Sequence, residues 1–564
     1  MLQTLKRLFG RPVARRARRL ARSFHDQTRQ AGALQRQILR GLVERHADSQ
    51  FGRDHGFRSI RTPEDYRRQV PIADYGRLEP YIDRVRNGDT QALFGRGTKV
   101  LMFAMTSGTT DRPKTIPVTS QSLKDYREGW LIWGIQAFDA HPEMLRNGLR
   151  PILQIASDWR ERFTPAGIPC GAITGLTASM QSPLVRSVYC MPACGSRIKD
   201  IASKYYVALR SSAHLDLGTI IAANPATILA MVRLGDREKE TLIRDLHDGT
   251  LDRKWDIPED VRQQLARRTR KRRPEAARRL EEIVGRTGRL LPKDYWPNLQ
   301  FLSNWMGGTM RAYLQGYPEW FGERPVRDVG LIASEGRMSI PVEDGTPAGI
   351  LDIRHHYFEF IPEEQADAET PETVGACDLI EGRNYFIVLT TAGGLYRYNI
   401  FDLVRCVGFH GEAPVIEFLN KGAHFSSLTG EKLSEHQVIA AVQAAQAATG
   451  LRLRSYVLLP RWGEPPHYEL LVEHGDLPSG AAAHRLAEAV EEQLRRHNIE
   501  YASKRDTLRL GPVDTVALPD GSWAEFQKRR LARSGGTVEQ YKQPHLIPDL
   551  GAVDSFPDRI PLSV

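Results

Sequence analysis

The chain has 564 residues, of which 41% are hydrophobic and 26% charged, with a formal net charge of +10. That length exceeds one ordinary core and leads to an expectation of at least two domains; no apolar run is long enough to cross a bilayer. Five cysteines, Cys170, Cys190, Cys194, Cys377 and Cys406, are too few and odd in number for a disulfide framework, and they point to reduced thiols in the cytoplasm.

The positive charge is concentrated in two stretches, one beginning at Arg11 and one at Arg262, and both read as helices. They are expected to be solvated helix faces of an Arg-rich protein, with no nucleic-acid partner. Next along the chain come short apolar runs, VLMFAM (100–105), LRPILQIA (149–156) and LGTIIAA (217–223). These alternate with helical patterns at 122–138 and 226–235, which is an α/β signature. From about residue 350 the texture becomes strands and turns: YFIVLTT (385–391), a Gly393-Gly394 turn, LYRY (395–398) and LVRCVGF (403–409). This predicts a β-meander closing a large domain, residues 1–419. A strand–strand–helix pattern at 453–460, 467–474 and 481–497 then predicts a small α+β domain, residues 420–564.

The sharpest local motif is FAMTSGTTDRPKTIPVT. Thr106, Ser107, Gly108, Thr109 and Thr110 leave the end of an apolar strand, and Lys114 follows. Glycine lets backbone N–H groups turn toward an anion, the hydroxyls add donors, and the lysine brings a charge for a terminal phosphate. The motif is not a P-loop, because Pro113 stands where that loop needs glycine and no helix starts there. A polar surface turn is the plainer reading of such a cluster.

Four further segments occur in order with this loop. They are LIASEGRMSIP with Glu335, GLYRYNIFDLVRCVGFH with Asp402, GGTMRAYLQGY at 307–317, and VEQYKQPH with Lys542. LEPYIDRVRNGDTQALF precedes the loop. Together they resemble the Gretchen Hagen, or auxin-responsive promoter, family of acyl acid amido synthetases within the adenylate-forming superfamily. The resemblance covers nearly the whole chain. It implies a large multi-sheet N-terminal adenylation domain with a small mobile C-terminal domain, and ATP and Mg²⁺ as cofactors. The implied reaction is a two-step ligation of a carboxylic acid to an amine, most readily an amino acid. A ligase of the same fold passing the acyl group to coenzyme A or a carrier thiol is the nearest alternative. A nucleotide-binding interaction protein with weakened catalysis is the alternative of another class.

Carried over position by position, Thr106 to Thr110 and Lys114 bind phosphate, Ser334 lies in the nucleotide strip, and Asp402 accepts from the ribose hydroxyls. Glu335 would hold Mg²⁺. Lys432 and Lys542 would deliver charge to the α-phosphate or departing pyrophosphate. Read without the resemblance, Glu335 is a surface acid, Asp402 an ion-pair partner of Arg397 or Arg405, and both lysines solvated side chains. The chain departs from the family pattern at Asp111, where the loop usually has glycine, and at Leu331-Ile332-Ala333-Ser334, where an aromatic is usual. It departs also at Gly307 in place of threonine and at His545 in place of arginine. Trp130, Trp133, Tyr205 and Tyr206 offer apolar surface for an acyl pocket but read equally as core.

Overall fold

The computed structural model describes residues 2–106, 114–146, 148–181, 183–366, 368–421, 425–426, 428, 431, 433–463, 465–506, 510–534, 541–556 and 558–560. The chain divides into two compact units. One is formed by Met1–Ile400 and Val404–Phe418, the other by Phe401–Leu403, Leu419–Gly536 and Tyr541–Val564.

The basic N-terminal stretch is one helix, Leu2–Gln27, that buries Ala17, Ala21 and Phe24 at helical spacing. It lies along the helix Ser120–Ala140, to which it is tied by Arg18 and Asp139 at 2.6 Å and by His25 Nε2 and Gln136 Oε1 at 3.0 Å. Arg15, Arg19 and Arg22 face solvent. The second basic stretch is two helices instead of one, Glu259–Thr269 and Pro274–Thr287. Proline occupies the first turn of the second, where its missing N–H costs nothing, and it cannot continue the first.

Three sheets of four or more strands, with a two-stranded hairpin, make up the first unit among the described residues. The strand Val100–Thr106 runs antiparallel to Lys114–Thr119 and parallel to Pro169–Gly171, which pairs with Arg162–Phe163. A fully parallel sheet follows in chain order, Ile152–Gln154, Thr219–Ile221, Phe301–Asn304 and Val326–Asp328. Its crossovers are helices, among them Ile201–Ser212, started by the Asp200 carboxylate accepting Ser203 N–H, and Pro225–Arg237, started by Asn224. Leu153, Ile220 and Leu302 are completely buried between sheet and helices. Each such side chain contributes roughly 1.5–3 kcal/mol of burial free energy.

The third sheet has seven strands ordered Ser339–Ile340, Gly349–Leu351, Ala413–Lys421, Tyr398–His410, Asn384–Thr390, Tyr357–Pro362 and Val374–Gly375. It fulfils the expected meander with one correction: LYRY is not a strand. Residues 391–397 form a turn, and pairing resumes at Tyr398. The cause is Arg397, held at φ 45 by a buried ion pair, which a continuous strand cannot accommodate.

The second unit contains the antiparallel pair Tyr456–Arg461 and His467–Glu473, with Asp514–Leu518 parallel to the latter. Helices Glu435–Thr449 and Gly480–His497 cover it, burying Val438, Val442, Leu486, Val490 and Leu494 against Leu458, Leu470 and Val472.

Candidate functional site

The first candidate element is a β-hairpin. Thr106 pairs with Lys114 at one end of the antiparallel ladder between Val100–Thr106 and Lys114–Thr119. Ser107, Gly108, Thr109 and Thr110, with Asp111, lie outside the described residues. At the exit of the hairpin the Lys114 ammonium sits 5.6 Å from the centre of the Tyr75 ring. Tyr75 is anchored in turn: its hydroxyl accepts the Thr115 N–H at 3.0 Å and lies 3.1 Å from Thr115 Oγ1. Nothing in the sequence marked Tyr75, because its partner lies 40 residues away.

The second element carries the acid. Ile332–Ala333 pairs with Gly336–Arg337, which leaves Ser334 and Glu335 as the two-residue tip of a hairpin, partly exposed. Sequence reasoning expected an opening loop here; the hairpin is tighter. Leu331, Ile332 and Ala333 are also partly exposed, an aliphatic strip beside the tip.

Three buried charged residues beneath it were not anticipated. Arg337, 1% exposed, donates to the carbonyls of Val329 at 2.9 Å and Ser339 at 3.2 Å, and lies over the Trp130 ring at 4.5 Å. Burial lowers its guanidinium to about 10. The Asp328 carboxylate accepts the N–H groups of Met306 and Gly330, both at 2.6 Å, and so bolts the segment before Gly307 to the segment that leads to Glu335. Burial pushes this carboxyl up to about 7. Burial opposes the charge on His355, but Asp352 at 2.9 Å and Glu128 at 3.4 Å outweigh it and hold the imidazolium up to about 10. Arg327 stands beside Asp328, Glu335 two residues before Arg337, and Arg354 and His356 flank His355, so no local pattern singles these residues out.

The family departure at Gly307 has a steric reason. A Cβ built there would stand 2.9 Å from the Phe418 carbonyl oxygen, so this backbone path excludes a threonine. The aromatic residues proposed for an acyl pocket are structural. Trp133 is buried and donates to the Asp328 carbonyl, Tyr206 donates to Asp245 while stacked on Trp255, and Tyr205 is in the same core. Trp130 supports Arg337.

Asp402 is buried on the strand Tyr398–His410, directly after Phe401, whose φ of 60 is unusual for an aromatic residue. The ion-pair reading with Arg397 fails. All five guanidinium N–H donors of Arg397 are engaged by Glu359, Thr373 and the carbonyls of Arg67 and Val70. Arg405 donates to Asn384.

Lys432 lies outside the described residues. Its neighbour Glu431 is buried, accepts the Leu428 N–H at 2.6 Å and receives the Tyr468 hydroxyl. Lys542 is exposed on a segment pinned from both sides. The Tyr541 hydroxyl donates to Gln543 at 2.7 Å, and the Glu435 carboxylate accepts the His545 N–H at 2.5 Å. His545 is buried, its Nδ1 3.0 Å from the Tyr456 carbonyl oxygen, and burial lowers its imidazole to about 4, so it is a neutral packing group. Where the family usually has a cation, this chain has an anchor. Thr106, Lys114, Ser334 and Glu335 fall in the first unit, Asp402 and Lys542 in the second.

The GH3 family N-terminal domain matches residues 20–326, its central domain residues 349–421 and its C-terminal domain residues 436–550. The chain belongs to the GH3 family. This is the family to which the ordered motifs pointed. Among curated relatives of this GH3 protein, jasmonoyl–L-amino acid synthetase JAR6 of Nicotiana attenuata is 24% identical, with 93% of this chain and 92% of that one covered. Indole-3-acetic acid-amido synthetase GH3.3 of Arabidopsis thaliana is 23% identical over 93% and 91%. The solved structure of GH3.15 acyl acid amido synthetase superposes with a TM-score of 0.83 at 21% identity, covering 96% of both chains, so the two share a fold.

Proposed function

We infer that this chain is an ATP-dependent acyl acid amido synthetase. A carboxylate oxygen of the acid attacks the α-phosphorus of ATP and pyrophosphate leaves. The amine nitrogen of the second substrate, an amino acid, then attacks the acyl carbon of the acyl-adenylate; AMP departs and the nitrogen loses a proton to solvent. No protein nucleophile is needed. The demand on the chain is to hold phosphate charge, align the reacting groups and exclude water.

The division of labour follows the residues. Ser107, Thr109 and Thr110, with the backbone at Gly108, donate to phosphate oxygens, and Lys114 contributes its charge, steadied on the Tyr75 ring. Ser334 borders the nucleotide, and Asp402 accepts from ribose. Lys432 and Lys542 meet the negative charge that develops at the α-phosphate. Glu335 fits Mg²⁺, since a single carboxylate at a partly exposed tip leaves coordination sites for phosphate oxygens and water. The ion would neutralise phosphate charge. Residues 1–419 take ATP and the acid, and residues 420–564 form the small mobile domain that changes position between the two steps. The five free thiols suit the cytoplasm.

The observation that supports this reading most is the Ser334–Glu335 hairpin tip, fixed from below by buried Arg337 and joined through Asp328 to the Gly307 segment. The test is acid-dependent exchange of pyrophosphate into ATP over aryl, indolyl and fatty acids, followed by addition of amino acids or coenzyme A. Exchange with at least one acid, then amide formation with an amino acid, is expected. Thioester formation without amide would overturn the choice of acceptor, and no exchange across the panel would overturn the enzyme.

A further inference from the structure

A cleft of about 800 Å³ opens where the strand Ile152–Gln154 ends, with Gln154 and Ala156 in its lining. Every strand of that sheet is parallel, so its carboxyl ends share one edge. Ligands of open parallel sheets bind along that edge. The segments that carry Gly307 and Glu335 leave from the same edge, after Phe301–Asn304 and Val326–Asp328. The strand that ends at the cleft and the strand that leads to the acid hairpin are three strand spacings apart, about 14 Å.

The charge in this cleft is one-sided. Arg186, Arg267 and Arg268 line it, and Asp260 is the one acid among the lining residues. Asp260 is already neutralised by Arg197 at 2.6 Å. Arg268 donates to the carbonyls of Cys190 at 2.8 Å and Tyr189 at 3.4 Å, which orients it without cancelling its charge. The side chains of Arg186 and Arg267 make no hydrogen bond or ion pair among the described residues. Three like charges facing one space repel one another, an arrangement that an anion relieves. The remaining lining mixes amides, Gln181, Gln263 and Gln264, with the apolar surface of Met191 and Ala178, as an acyl chain ending in a polar group requires.

We propose that this cleft receives the far end of the acid substrate and that this end is itself anionic, a second carboxylate clasped by Arg186 and Arg267. The proposal rests on the acid-activating reading above. It assigns the enzyme to acids charged at both ends, with the reacting carboxylate at the nucleotide and the other held by guanidinium groups, whose planar forks match a carboxylate bidentately.

The test compares α,ω-dicarboxylic acids of graded chain length with their monomethyl esters in the pyrophosphate exchange assay. The wild-type protein and the Arg186→Gln/Arg267→Gln double variant are measured in parallel. Expected for wild type is an apparent KM for the best diacid at least about tenfold below that of its ester. In the variant that preference collapses, while KM for ATP stays put; lysine at both positions restores part of it. Exchange that proceeds with monoacids and shows no diacid preference would overturn the proposal and leave the ligase intact. So would a variant whose only change is a raised KM for the amine. Absence of exchange with every acid would instead remove the reading on which the proposal rests.

Discussion

Gly129 and Arg337 are in van der Waals conflict for any residue larger than glycine: a Cβ at position 129 would stand 2.4 Å from Arg337 Cδ and 3.0 Å from its Nε. Gly129 lies midway along the helix Ser120–Ala140, which starts directly after the strand that opens at Lys114. Arg337 lies two residues beyond Glu335. This close approach joins the helix after the phosphate hairpin to the base of the acid hairpin.

Gly129→Ala is therefore expected to destabilise, although alanine is the better helix former. The propensity gain is about 1 kcal/mol, whereas overpacking against a completely buried guanidinium stem costs about 1–3 kcal/mol. Denaturant titration gives the net. A raised Mg²⁺ requirement in the exchange reaction is also expected, because the displaced Arg337 takes the Glu335 tip with it.

Glu335→Ala removes a partly exposed carboxylate and should leave the melting temperature within a degree or two, while exchange falls on the order of 100-fold. A loss of activity that merely tracked unfolding would argue for a structural acid.

Arg397→Met should be among the most destabilising single changes. It leaves the buried Glu359 carboxylate with Arg67 and Thr373 as its remaining partners and strips the Arg67 and Val70 carbonyls of a donor. Breaking such a pair from one side costs about 3–5 kcal/mol. Replacing both partners by apolar residues should cost less than this single substitution.

His355 gives a pH signature. Its folded-state value, about 10, lies above the ordinary 6.5, so the folded protein holds a proton that the unfolded chain releases between those values. The contribution is complete below pH 6.5 and is lost as pH rises toward 10. Wild-type stability should fall across that window by more than that of His355→Gln, a difference read from denaturant midpoints at pH 6, 8 and 10.

Glu435→Ala removes the acceptor of the His545 N–H and loosens the segment that carries Lys542. Amide hydrogens of residues 541–547 should exchange faster, and the rate of amide formation should fall roughly tenfold, with the fold of the first unit unchanged. Unaltered hydrogen exchange would show that Lys542 is positioned by other contacts.

The elements legible in the sequence were those with strong local patterns: the strand before Thr106, the helix after Thr119, two of the four parallel strands (Ile152–Gln154 and Thr219–Ile221) and the strand–strand–helix core of the second unit. Tertiary causes defeated the rest. LYRY has the alternation of a strand, yet Arg397 is turned by Glu359, 38 residues earlier. The second basic stretch looked continuous until Pro274 divided it. Site residues embedded in family motifs were nameable from sequence. The groups that hold them, Tyr75, Asp328, Arg337 and His355, were not, because each acts on a segment distant along the chain. The arginines of the cleft come from segments some 80 residues apart, which no local pattern connects.

The most direct test of acyl-adenylate chemistry is the fate of label from an acid carrying ¹⁸O in its carboxylate. Attack on the α-phosphorus places one carboxylate oxygen on phosphorus, and cleavage of the acyl C–O bond by the amine leaves it there. One ¹⁸O in AMP and one in the amide product are expected by mass spectrometry. Label in inorganic phosphate with ADP as co-product, or amide formed with unlabelled AMP, would contradict it.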